Sequence, residues 1–141
     1  MSVKITTQVV TTSPGSFDAS KYSTCPNPVN TIADLEACAK AAVDFAVAIW
    51  KENVVFTSNF NIRVVLDLAS ASGLASAGPA CLVGSGGLFV PITVLKQALQ
   101  TSDECIGNPT YDIDMSFDAG RSDWHMNPAT APLFFRYDFV R

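Results

Sequence analysis

A single histidine is the first residue to consider for catalysis. His125 lies between Trp124 and Met126 in a polar stretch. One imidazole is too few for the three protein ligands of a catalytic zinc site. As the base of a Ser-His-Asp arrangement it would need an activated serine, and the sequence contains no G-x-S-x-G turn. We therefore assign no catalytic residue and predict a surface or loop-packing role for His125.

A row of carboxylates is the second feature with possible chemistry. Asp112, Asp114 and Asp118 fall on one face of a strand predicted over 111–118, because alternate side chains of a strand point the same way. Their hard oxygen atoms are the ligands that calcium takes, so the three residues are candidate calcium ligands. An exposed strand face, or a sheet edge protected by charge, explains the same pattern. Both interpretations remain open.

Four cysteines suggest disulfide chemistry rather than a metal site. Cys25, Cys38, Cys81 and Cys105 form no C-x-x-C pair and have no neighbouring histidine. An even number of cysteines, mostly in loop-like sequence, suits two disulfides in an oxidising compartment. Cys25–Cys38 and Cys81–Cys105 are the favoured pairs, since each closes a short loop; free buried thiols are the alternative. We expect a secreted or extracellular protein.

Composition limits the classes of partner. The 141 residues suit one domain, 48% are hydrophobic and only 16% are charged. The net charge is -4 and the basic residues are scattered, which argues against nucleic acid. No apolar run reaches the roughly 18 to 20 residues of a membrane span. The first ten residues lack the pattern of a signal peptide, so we expect that a leader was removed or never existed.

Hydrophobic periodicity predicts the elements that position these residues. The predicted elements are a strand over 3–12, an irregular segment to 30, a helix over 31–52, a strand over 60–68, a surface loop of small residues over 69–80, a helix over 91–100 and a strand over 111–118. We predict one α+β domain over 1–141. Its twisted mixed sheet should have about four or five strands, with one long and one short helix.

The long helix is the most clearly marked element. Thr31 suits the N-cap, with Asp34 three residues later to complete a capping box. Helical spacing places Leu35, Phe45 and Ile49 against the apolar face of the strand over 60–68.

Several pieces of the sequence together resemble a known clan. A helix ending in Ala-x-x-x-Trp at 46–50 is followed by Asp-Ile-x-x-x-Phe at 112–117, then by a loop with Trp124. The pieces that appear in this order are 41–50, 61–66, 76–79, 90–99 and 111–117. They resemble matrixin-like and leishmanolysin-like metallopeptidases of the metzincin clan. The run 137–141 is similar to the opening turn of that clan's active-site helix.

This resemblance covers roughly residues 32–141 and implies the N-terminal subdomain of a metzincin, in which a helix packs on a twisted mixed sheet. On this basis, 1–30 forms an N-terminal strand and irregular segment, and 31–141 forms the subdomain. The framework positions that it implies are Trp50, Asp112, Ile113, Phe117, Trp124 and Tyr137, and the helix pattern adds Phe45.

The zinc ligands and catalytic base of the clan, in H-E-x-x-H, are missing from the sequence. The functional hypothesis is therefore the non-catalytic N-terminal portion of a secreted metzincin-like zinc endopeptidase, inactive alone, with zinc bound only when a C-terminal half is present. The alternative is a secreted structural, assembly or binding module derived from a peptidase scaffold. In either case, the resemblance implies an apolar sheet face without its usual helix cover. We expect a protein partner or self-association through that face or through the apolar segment 133–140.

Overall fold

One long helix and a four-stranded sheet form the frame of the chain, as a computed structural model shows for residues 3–69, 73–85, 88–99, 110–132 and 136–140. The strands are β1 (Ile5–Thr12), β2 (Phe60–Asp67), β3 (Ala75–Pro79), β4 (Leu82–Ser85), β5 (Leu88–Pro91), β6 (Ile113–Asp118), β7 (Trp124–His125) and β8 (Tyr137–Asp138). The helices are α1 (Ile32–Asn53) and α2 (Ile92–Leu99), with short 3-10 turns at Pro14–Ser16 and Ala19–Tyr22. The predicted α+β class is confirmed.

The capping box at the start of α1 is also confirmed. Thr31 Oγ1 accepts a hydrogen bond from Asp34 N at 3.2 Å, and the Asp34 carboxylate accepts from the backbone N–H groups of Asn30 and Thr31. The bond from Asn30 is the main cause that lowers the pKa of Asp34. These contacts satisfy N–H groups that a helix start otherwise leaves without partners. Neither described helix is long and apolar enough to cross a bilayer.

The main sheet has the order β1-β2-β6-β3. β1, β2 and β6 are parallel to one another, and β3 is antiparallel to β6. A parallel neighbour requires a crossover connection, which α1 supplies between β1 and β2. The loop predicted over 69–80 is therefore wrong in part, because Ala75–Pro79 is an edge strand. Its small residues carry little strand signal of their own, and pairing with β6 determines their conformation.

The core lies between α1 and one face of the sheet. Alternate residues of β2 are buried there, as the period-two pattern predicted: Phe60, Ile62, Val64 and Leu66. Leu35, Ala39 and Ala42 of α1 are fully buried in the same cluster. The opposite face of the sheet is polar, and there Arg63 on β2 pairs with Asp114 on β6.

The second half of α1 is more exposed than its spacing predicted. Leu35 packs in the core as expected, but Phe45 and Ile49 leave 43% and 45% of their surface exposed. The expected packing of these two residues on β2 is wrong. They lie on a side of α1 that no described element fully covers. The apolar residues therefore keep their helical spacing in the second half of α1, but these two are not buried.

The segment between β1 and α1 is anchored at two points. A disulfide joins Cys25 to Cys38 in the second turn of α1, as predicted. The Tyr22 hydroxyl donates to Ala119 O at 2.7 Å, just after β6, and burial raises the pKa of Tyr22 to about 12. Cys81 is also disulfide-bonded, and its predicted partner Cys105 lies outside the described residues.

The end of the described chain is extended rather than helical. Tyr137 and Asp138 form β8, which pairs in parallel with Trp124 and His125 of β7. Tyr137 N donates to Asp123 O, and Phe139 N donates to His125 O. The expectation of an opening helical turn over 137–141 is therefore wrong for the described residues, because their N–H groups bond to β7 and its flank.

Two substitutions in α1 separate the buried stripe from the exposed one. Leu35→Ala removes a fully buried side chain and should lower the free energy of unfolding by about 2 to 5 kcal/mol. Phe45→Ala removes a side chain already 43% exposed and should cost about 1 kcal/mol or less. Denaturant unfolding of both variants beside the wild type measures the difference. Equal losses would contradict this assignment of the core.

The Cys25–Cys38 bridge closes a loop with a sequence separation of 13. Replacing both cysteines by serine frees the unfolded chain and should lower the free energy of unfolding by about 3 kcal/mol. The measurement is denaturant unfolding of the double variant without reductant, which leaves the Cys81 bridge in place. An unchanged unfolding midpoint would show that the bridge does not constrain the fold.

Candidate functional site

An apolar groove runs beside the second half of α1, over β3, β6 and the start of β2. Three cavities of about 300, 390 and 250 Å³ make up the groove. Ala46 lines all three, and Met115 and Val140 each line two, so the cavities adjoin one another. The small side chain of Ala46 leaves the space between helix and sheet open.

Large apolar side chains stand at the rim of this groove. Phe45 and Ile49 project from α1 on the side of Val140, and Trp50 exposes 62% of its surface. A cluster of three such residues on one helix is more than the scattered apolar residues of an ordinary surface. The groove combines these side chains with adjoining cavities and is therefore the best candidate for a functional site among the described residues.

The far wall of the groove is an aromatic cluster at the end of the described chain. Phe139 stacks on Phe117 of β6 with ring centroids 4.2 Å apart, and Trp124 contacts both rings edge-on. The indole N–H of Trp124 donates to Asp118 O at 2.9 Å. β7–β8 pairing and these ring contacts together fix Phe139 and Val140 against β6.

His125 supports this wall from behind. It is buried, and its Nε2 lies 3.1 Å from Thr130 O and 3.0 Å from Thr130 Oγ1. These contacts hold the turn that leads away from β7. Of the two roles predicted for His125, loop packing is confirmed and a surface position is wrong. The zinc that the metzincin resemblance implies does not fit here, since no group of three possible metal ligands occurs among the residues that the structure describes.

Two of the predicted calcium ligands are already paired with cations. Asp112 binds Lys96 Nζ at 2.6 Å through one oxygen and accepts from Asn61 N through the other. Asp114 receives both Nε and Nη2 of Arg63 at 3.1 and 3.2 Å. The Arg63 guanidinium also lies over the ring of Tyr111, 4.1 Å from its centroid. These pairs favour a structural role for the two carboxylates.

The third carboxylate, Asp118, is buried at the end of β6. Its Oδ1 has no partner among the described atoms. Beyond it, Arg121 binds Asp123 through two nitrogens at 2.9 and 2.8 Å. This hydrogen bonding lowers the pKa of Asp123 and raises that of Arg121. The pair fixes the turn between β6 and β7. Among the residues that the structure describes, Asp118 belongs to no group of three possible metal ligands.

The predicted framework residues divide into two groups. Trp124 is buried, and Ile113 and Phe117 are partly buried against the core. Trp50 and Tyr137 are exposed and therefore do not lie in the core. The sequence analysis did not predict that Phe45, Ile49 and Trp50 line a groove. The feature that could have indicated it was the apolar sheet face that was expected to lack a covering helix.

Comparison with protein-family models, with curated proteins and with solved structures finds no match for this chain.

An apolar fluorescent dye tests whether the groove is open in solution. We expect the wild type to bind the dye, and the variant Phe45→Ser/Ile49→Ser to lose most of that fluorescence, because both residues line the groove. Val55→Ser is the matched control, since Val55 is apolar and 90% exposed but lies outside the groove. Equal dye binding by the wild type and the double variant would place the apolar surface elsewhere.

Proposed function

We propose that this chain is the non-catalytic N-terminal portion of a secreted, metzincin-like zinc endopeptidase and is inactive alone. The groove beside α1 is the observation that supports this proposal best. It lies on the face of the sheet that α1 covers, and the resemblance implies that the clan's active-site helix covers one face of the sheet. Its occupant would carry the zinc ligands that the described residues do not supply.

The chemistry of the groove suits a helix. Most of its floor and walls is apolar, with Ala42, Met115 and Phe117 as examples, and Thr130 and Asp138 line the 390 Å³ cavity. An amphipathic helix presents an apolar stripe of the kind that such a lining takes, and keeps its polar face outward. A helix also satisfies its own backbone hydrogen bonds, so it can enter an apolar groove without leaving N–H or C=O groups unpaired.

The cysteines support an oxidising location. Cys25 and Cys38 are bonded to each other, Cys81 is bonded as well, and no described cysteine is free. Disulfides persist mainly in secreted and extracellular proteins. We therefore propose secretion as part of the same function.

The exposed aromatic residues favour a second candidate, a binding or assembly module. Aromatic side chains such as Phe45 and Trp50 are enriched at protein interfaces and often contribute much of the binding energy. In that case, the groove would take a segment of another protein, and no zinc would be involved.

The native protein distinguishes the two candidates. We expect material isolated with an antibody against this sequence to contain about one zinc ion per copy of the chain and to cleave peptides until a chelator removes the metal. The additional polypeptide should raise the intact mass above 15.0 kDa or appear as a companion chain. Metal content, intact mass and peptide hydrolysis are the measurements. A metal-free complex with other proteins would support the binding module and refute the peptidase.

A variant of the native protein links that activity to the groove. Ala46→Arg puts a long charged side chain where all three cavities meet, so it should reduce peptide hydrolysis at least about tenfold by displacing the occupant. Val55→Arg makes the same kind of change outside the groove and should leave hydrolysis unchanged. Unchanged activity in Ala46→Arg would remove the groove from the peptidase.

A further inference from the structure

The outer edge of β1 offers unpaired backbone groups. Lys4 O and Thr12 O both accept from the β2 side, from Phe60 N and Leu68 N, so the even-numbered residues of β1 direct their backbone toward β2. The N–H and C=O groups of Ile5, Thr7, Val9 and Thr11 consequently point away from the sheet. No strand of the described residues pairs with this edge.

The two edges of the sheet differ in how well they are protected. β3 is five residues long and ends in Gly78 and Pro79, which weaken pairing. β1 has eight residues, Ile-Thr-Thr-Gln-Val-Val-Thr-Thr, with no charge, no proline and many β-branched side chains. A long, uncharged edge of this kind is a template for another strand.

We propose that β1 pairs with β1 of a second copy, antiparallel, and joins two four-stranded sheets into one. This proposal concerns a surface different from the groove and stands independently of the peptidase function.

One register uses every outward group of the edge. When Gln8 lies opposite Gln8 of the second copy, Ile5 lies opposite Thr11 and Thr7 lies opposite Val9. Each of these pairs exchanges two backbone hydrogen bonds, because both members point outward. A shift by two residues in either direction leaves outward groups at one end without a partner. Pairing therefore selects the register centred on Gln8.

The charges beside β1 are self-complementary in this arrangement. Glu36 Oε2 lies 3.1 Å from Thr11 Oγ1 at one end of the strand, and Lys51 Nζ lies 3.2 Å from Val3 O at the other. Antiparallel pairing places the two ends side by side, with both α1 helices on the same face of the joined sheet. Glu36 of each copy thus faces Lys51 of the other. These opposite charges favour a second copy over an unrelated extended peptide.

The position of Gln8 provides a specific test. Gln8 is exposed and lies next to its own copy across the two-fold axis. Gln8→Glu and Gln8→Lys each put like charges opposite one another, so each alone should raise the dissociation constant of the dimer by about fivefold. An equimolar mixture of the two variants should restore dimerisation as a heterodimer. Sedimentation of the full chain measures the dissociation constant, with the dimer at twice 15.0 kDa.

Matched variants complete the experiment. Ser76→Glu introduces the same charge at the other edge of the sheet and should leave dimerisation unchanged. Glu36→Lys should weaken the dimer, and Glu36→Lys/Lys51→Glu should restore it. Three results would overturn the proposal: a wild-type monomer up to about 100 µM, a range well above the dissociation constants of stable dimers; a dimer insensitive to Gln8→Glu and Gln8→Lys; or a mixture no tighter than the single variants.

Discussion

The packing of α1 over β1, with the apolar face of β2 in the same core, is the interaction on which the rest of the structure depends. Ala39 and Ala42 have no accessible surface, and their small side chains let the helix approach β1, while Val64 and Leu66 of β2 are equally buried in the same core. β2 is held from both sides, by β1 and β6, so its apolar face fixes the position of three parallel strands at once. The groove begins where this packed layer of helix and sheet ends, and Met115 and Phe139 line it there.

The same alanines explain why the candidate site exists. Ala42 and Ala46 continue the small-residue stripe along α1, and their side chains are too small to fill the space between the helix and the strands below. The groove is therefore open where a large residue would have closed it. On the opposite sheet face, Arg63–Asp114 and Lys96–Asp112 bind neighbouring elements through charge.

The sequence predicts those elements whose signal is local. α1 has a capping box at Thr31, and β2 alternates strictly, so both were found within a residue or two. β3 was missed because residues such as Ala77 and Gly78 acquire strand structure only from β6. The groove could not be located from periodicity, since Phe45 and Leu35 both fit a helical apolar pattern. Their burial differs because the rest of the core covers Leu35, whereas no described element fully covers Phe45.

The sheet order has a consequence for how the chain reaches this structure. β2 and β6 are neighbours although 51 residues separate Asn61 from Asp112, and 55 separate Lys4 from Asn59 beside β1. Both contacts require a long loop to close before any pairing compensates the lost entropy. Folding is therefore slow relative to helix formation, and β1 stays accessible to other chains in the meantime. Refolding yield is then expected to fall as chain concentration rises.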